Sequence, residues 1–98
     1  MVKLLVTYTG ESAGDVERFF AQIFEKGYDK KGQSDKGNHR YEFFMPTQGG
    51  KVGILLEEWD SKEDIIAHNA QPHMADFVAI KEANHVTTTV ETYETGKL

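Results

Sequence analysis

The chain has 98 residues, a formal net charge of −5 and no cysteine. One domain over 1–98 fits that length, with no room for a second core; disulfides, thiolate catalysis and cysteine-based zinc or iron–sulfur sites are excluded. Nine lysines and two arginines are dispersed along the chain, so no basic surface for nucleic acid stands out, and 39% apolar against 28% charged residues is the balance of a soluble globular protein.

Val2, Leu4, Val6 and Tyr8 alternate with Lys3, Leu5, Thr7 and Thr9, the period-two pattern of a strand that Gly10 ends. The segment is too short and too alternating for a signal peptide or membrane span, which makes a cytoplasmic protein the default expectation. Ser12 followed by Asp15 resembles a capping box, and Val16, Phe19, Phe20, Ile23 and Phe24 then form one wide apolar stripe. That spacing predicts an amphipathic helix ending near Gly27. Residues 29–38 contain no hydrophobe and read as a solvated loop.

Residues 39–45 return to strand periodicity, with Tyr41, Phe43 and Met45 on one face and Glu42 and Phe44 on the other. Residues 46–50 supply a hairpin turn, and 51–59 the returning strand. Ser61 with Asp64 repeats the capping signature and opens a helix through Ile65, Ile66 and His68. Residues 69–71 interrupt it. Pro72 then stands where proline suits the first turn of a new helix, whose predicted buried stripe is Met74, Phe77 and Val78. A threonine- and valine-rich strand over 86–93 and a polar tail over 94–98 close the chain.

The order βαββαβ, with the second helix broken in two, predicts the ferredoxin-like α+β arrangement: a four-stranded antiparallel sheet with helices on one face. The strands carry hydrophobes on both faces, however. Val52, Ile54 and Leu56 oppose Leu55 and Trp59, and Phe44 opposes Tyr41 and Phe43. At about 25 cal/mol per Å², leaving the second face wet forgoes several kcal/mol, a large share of the stability of so small a protein. A second copy covering that face, in a symmetric homodimer, is the expected solution.

Several side chains invite a chemical reading. Trp59 shares a face with Glu57; it is either a core side chain or the flat wall of a ligand cavity. Glu57 and Glu58 point to opposite faces, so one nears a buried surface, bonded to amides or a lysine, or orienting a histidine. His68 and His73 flank the helix break. Their five-residue separation across a proline does not suit two metal ligands on one helical face, and no metal site is expected. A general base or hydrogen-bond donor near neutral pH suits His68 better, with packing at the junction as the plain alternative. His39 and His85, at strand beginnings, read as surface or edge residues.

The run Arg40-Tyr41-Glu42-Phe43, then Leu56-Glu57-Glu58-Trp59-Asp60-Ser61, then His68 and Pro72-His73, resembles the antibiotic biosynthesis monooxygenase domain family over nearly the whole chain. Lys36-Gly37 stands where the family usually has Pro-Gly. The resemblance implies a dimeric α+β barrel of two ferredoxin-like subunits joined through their sheets. It also implies a monooxygenase without cofactor, acting with molecular oxygen on a small aromatic, quinol or quinone-like substrate. In that reading Trp59, His68 and His73 are catalytic, with Trp59 the stacking wall, His68 the base and His73 a second polar contact. Glu57, Tyr41, Phe43 and Tyr8 contact substrate. The first strand lacks an asparagine found in several active oxygenases, and Val78 stands where the haem-degrading branch has a histidine, which argues against haem degradation. An isomerase of a small sugar-like or phosphorylated metabolite, or a non-catalytic ligand-binding domain, would use the same residues.

Overall fold

The alternating N-terminal segment forms β1 (Val2–Gly10), and the chain continues through α1 (Asp15–Glu25), α2 (Tyr28–Ser34), β2 (Asn38–Phe44), β3 (Val52–Trp59), α3 (Lys62–Asn69), α4 (His73–Ala83) and β4 (Val86–Thr92). This computed structural model describes residues 1–96 and 98; Lys97, within the expected polar tail, lies outside the described residues. The strands pair antiparallel in the order β2-β3-β1-β4, the ferredoxin-like sheet that the element order predicts. Among the described residues no helix is long and apolar enough to cross a membrane.

Register decides which side chains meet. Leu4 stands opposite Glu57, and Glu57 opposite Tyr41; Val6 stands opposite Leu55 and Val90. Because strand side chains alternate, Tyr8, Tyr41, Glu57 and Trp59 share the face toward the helices. Leu5 and Leu56, and Phe44 and Ile54, pair on the other face. The inner face is packed by α1, which buries Val16, Phe19, Phe20 and Ile23. Tyr8 meets Phe19 and Phe20 edge-on, with ring centroids 5.0 and 5.7 Å apart. Phe24 departs from the expected stripe: it lies at the stripe's edge, 47% exposed, with its ring edge-on to Phe43.

The caps divide between the two helix starts. The Ser61 hydroxyl accepts the Asp64 N–H, as the capping signature predicts. Only half of the first box forms: the Asp15 carboxylate accepts the Ser12 N–H at 2.8 Å, but the helix starts after Gly14 and no side chain caps it.

Residues 29–38 are not the solvated loop that their composition predicts, since most of α2 lies there. Tertiary contacts supply what periodicity lacks. The Tyr28 hydroxyl donates to Asp76 at 2.6 Å, and Gln33 Nε2 donates to the Tyr41 carbonyl at 3.1 Å. Gly32 is buried against the Tyr41 ring, so closely that a Cβ there would stand 2.5 Å from ring carbons. In α4, Phe77 is buried with Met74 and Ile80 half-buried, whereas Val78 is exposed rather than part of the buried stripe.

Candidate active site

Helices α3 and α4 do not close down on the sheet along its whole length. Between them and strands β1, β3 and β4 lies an open-mouthed, mainly apolar cavity of about 540 Å³, within the range of small-molecule sites. Leu4, Val6, Leu55 and Phe77 line its depth, and Ile66, Val78 and Val90 are exposed at its edge. The polar side chains that reach it from the sheet are Tyr8, Tyr41, Glu57, Thr88 and Thr92; the helices contribute His68, Asn69, Lys62 and Lys81.

His68 is 3% exposed and sits at the C-terminal end of α3, where the helix breaks. Its ring rests on Trp59, with centroids 4.8 Å apart, and meets Tyr41 edge-on at 5.3 Å. Nδ1 faces the carboxylate of Asp35, whose other oxygen accepts a hydrogen bond from Gln71 Nε2. A carboxylate can only accept, so Nδ1 carries a hydrogen, and in the neutral ring Nε2 is then the acceptor. The arrangement sits at the break in the helix. Pro72 cannot continue α3, and the turn before it carries Gln71 to the same carboxylate that holds His68.

Beneath His68, the Trp59 indole N–H donates to Glu57 Oε1 at 2.9 Å. Glu57 is 8% exposed, and burial raises its carboxyl above the ordinary range; the Trp59 bond and nearby His68 oppose that rise. Burial also pushes the phenols of Tyr8 and Tyr41 upward, with Glu57 adding to the effect, so both remain hydroxyl donors. His73 behaves in the opposite sense. Burial, with Lys31 adding, lowers its pKa, and its Nε2 is buried without a partner among the described residues.

The structure brings His68, Glu57, Tyr41 and Tyr8 to one cavity. Trp59, fully buried, lies behind His68 and outside the lining, so its contact is with the histidine and Glu57 rather than with the cavity. Phe43 packs against Phe20, Phe24 and Tyr41, and His73 against Tyr28 at 5.0 Å; neither reaches the lining. The carboxylate that orients His68 is Asp35, not Glu57. Asp35 lies 33 positions before its partner in a stretch without hydrophobic pattern; its only sequence signal is the Lys36-Gly37 turn ahead of β2. Gly37 has φ +82, which suits glycine, and a side chain there would collide with Asp64. Among the described residues no group of three or more His, Asp or Glu side chains could hold a metal ion.

A family model described as antibiotic biosynthesis monooxygenase matches residues 1–80. No curated protein matches the chain. Among solved structures, a candidate antibiotic biosynthesis monooxygenase of Deinococcus radiodurans is 17% identical with a TM-score of 0.78, covering 100% of this chain and 95% of its own. A Bacteroides thetaiotaomicron protein of unknown function, considered a candidate oxidoreductase, is 21% identical with a TM-score of 0.74 and 96% coverage of both chains. SnoaB of Streptomyces nogalater, a cofactor-independent oxygenase, is 16% identical with a TM-score of 0.66, covering 99% of this chain and 94% of its own.

Proposed function

We propose that this chain, which belongs to the antibiotic biosynthesis monooxygenase family, is a cofactor-independent monooxygenase of a small aromatic, quinol or polyphenol substrate. The observation that carries the reading is a histidine held by a carboxylate on the wall of an apolar cavity. The fold shared with SnoaB, a cofactor-independent oxygenase, supports it. His68 Nε2 takes the proton of a phenolic hydroxyl, while Asp35 and Gln71 keep the ring from turning and Asp35 offsets the imidazolium charge. Apolar walls leave the phenolate poorly solvated, so its charge stays available at ring carbon. Electrons pass from that carbon to oxygen and a C–O bond forms. Loss of the ring C–H proton and cleavage of the O–O bond leave one oxygen atom as a new carbonyl and release the other as water. The substrate supplies every electron.

Tyr8, Tyr41 and Glu57 contact the substrate; Trp59 supports His68 and Glu57 from behind, and His73 and Phe43 act through their neighbours. A second copy covers the outer sheet face of Leu5, Ile54, Leu56 and Phe44. Light scattering at micromolar concentration is expected to give the mass of a dimer; a single monomer peak overturns that part.

Oxygen uptake with simple quinols and naphthols tests the activity. A loss of about 10²-fold or more is expected in His68→Ala, with an intermediate loss in Asp35→Asn. Uptake indifferent to His68 overturns the reading. Solvent proton exchange without oxygen consumption would mark an isomerase, and ligand binding with neither would mark a binding protein.

A further inference from the structure

Glu57 is an expensive residue to place in this cavity. It lies 8% exposed on the central strand β3, between Leu4 and Tyr41 across the sheet, in a lining that is mostly carbon. One of its oxygens accepts the Trp59 N–H, and no protein group bonds the other among the described residues. The two hydroxyls nearest in kind, Tyr8 and Tyr41, also line the cavity without a protein partner among the described residues, and the Thr88 hydroxyl is buried with none. Lys62 and Lys81 line the cavity too, but neither forms an ion pair with Glu57. A carboxyl so placed is cheaper neutral than charged, and a neutral carboxyl is a donor. The raised pKa that burial gives it runs in the same sense. The proton economy of the site is therefore divided: His68 offers a lone pair, and Glu57 with the tyrosines offers hydrogens.

We propose that Glu57, anchored by Trp59 in the cavity floor, is a specificity-determining residue that donates a hydrogen bond to a carbonyl oxygen of the ligand, so that the site selects aromatic hydroxy-ketones over plain phenols. The inference rests on the reading of this cavity as the substrate site and narrows the substrate class. A phenol alone satisfies His68 and leaves the Glu57 hydrogen unmet in an apolar place. A ring system that also carries a ketone satisfies both, and the donor there withdraws electron density into the carbonyl as the hydroxyl loses its proton.

The test is binding under anaerobic conditions, measured calorimetrically, so that turnover plays no part. The probes are the isomeric 5-, 6- and 7-hydroxy-1-tetralones against 5,6,7,8-tetrahydro-2-naphthol, which keeps the fused-ring skeleton and a phenolic hydroxyl but has a methylene in place of the ketone. At least one tetralone is expected to bind roughly tenfold tighter than the naphthol, the worth of one net hydrogen bond in such a place. Glu57→Gln keeps a donor and an acceptor and should keep the preference. Glu57→Leu should lose the preference, the ratio of tetralone to naphthol affinity falling to about one whatever the change in either affinity, and a circular dichroism spectrum matching that of the wild type shows that this variant has folded. No ketone preference in the wild type, or a preference unchanged in Glu57→Leu, overturns the proposal; the wild-type comparison does so even if the leucine variant fails to fold. Ketone selectivity without oxygen uptake would sink the monooxygenase reading and leave this one standing.

Discussion

Replacing Trp59 by phenylalanine isolates the bond on which the cavity floor depends. Trp59 is fully buried, and its N–H reaches Glu57 Oε1 at 2.9 Å. Two losses are expected. Shrinking the ring leaves a small void costing about 1 kcal/mol. Removing the donor leaves a buried carboxyl oxygen without its partner, at about 1–3 kcal/mol. The sum, about 2–4 kcal/mol, would lower the melting temperature by on the order of 10 °C in a domain of this size. The two parts separate in a double-mutant cycle with Glu57→Leu. In that background the tryptophan substitution should cost no more than the packing part, leaving a coupling of about 1–3 kcal/mol. Urea denaturation at pH 7 and equal protein concentration measures all four corners, concentration being held because association adds to apparent stability. A coupling below about 0.5 kcal/mol would refute the argument, since residues that do not interact are additive to within that margin.

Two further outcomes follow from the same floor. Glu57 has its pKa raised by burial, so the native state holds a proton at pH values where the unfolded chain, near the ordinary 4.5, has released it. Stability from this group is therefore complete below that value and lost as pH rises through the folded pKa. Glu57→Gln should gain on the wild type as pH goes from 4 to 7 in paired denaturation curves, and an equal difference at both pH values would contradict the assignment. Gly32→Ala should destabilise by about 1–3 kcal/mol, because the new Cβ meets the Tyr41 ring at 2.5 Å and α2 must lift away; unchanged urea midpoints would show that α2 is not seated there.

Much of the fold was legible because it rests on periodicity. The alternation in β1 and β3 places Tyr8, Glu57 and Trp59 on one face, and parity alone predicts that Trp59 and Glu57 are neighbours. Depth is what parity does not give. Whether Trp59 faces a cavity or lies behind a histidine depends on how far α3 stands from the sheet, a tertiary quantity. The short helix α2 was illegible for a related reason: its one deeply buried residue is Gly32, which has no side chain to mark a stripe. His73 shows the limit of adjacency in sequence. It lies five residues from His68, but the new helix begun after Pro72 turns it toward Tyr28 while His68 faces Asp35.

The helix break at residues 70–72 ties these points together. An unbroken helix from Ser61 to Ala83 would leave no gap between two helix segments above the sheet. With the break, α3 brings His68 down onto Trp59, and the turn returns Gln71 to the same carboxylate. The second segment then leaves Met74 and Phe77 as a wall rather than a lid. Burying a histidine, a carboxyl and two phenols around one space opposes the stability of a 98-residue chain. A fold that needed only to be stable would have filled the same volume with apolar side chains, as α1 does with Phe19 and Phe20 against Tyr8. The polar groups are thus best understood by what they hold ready for a ligand, a lone pair on one side and hydrogens on the other.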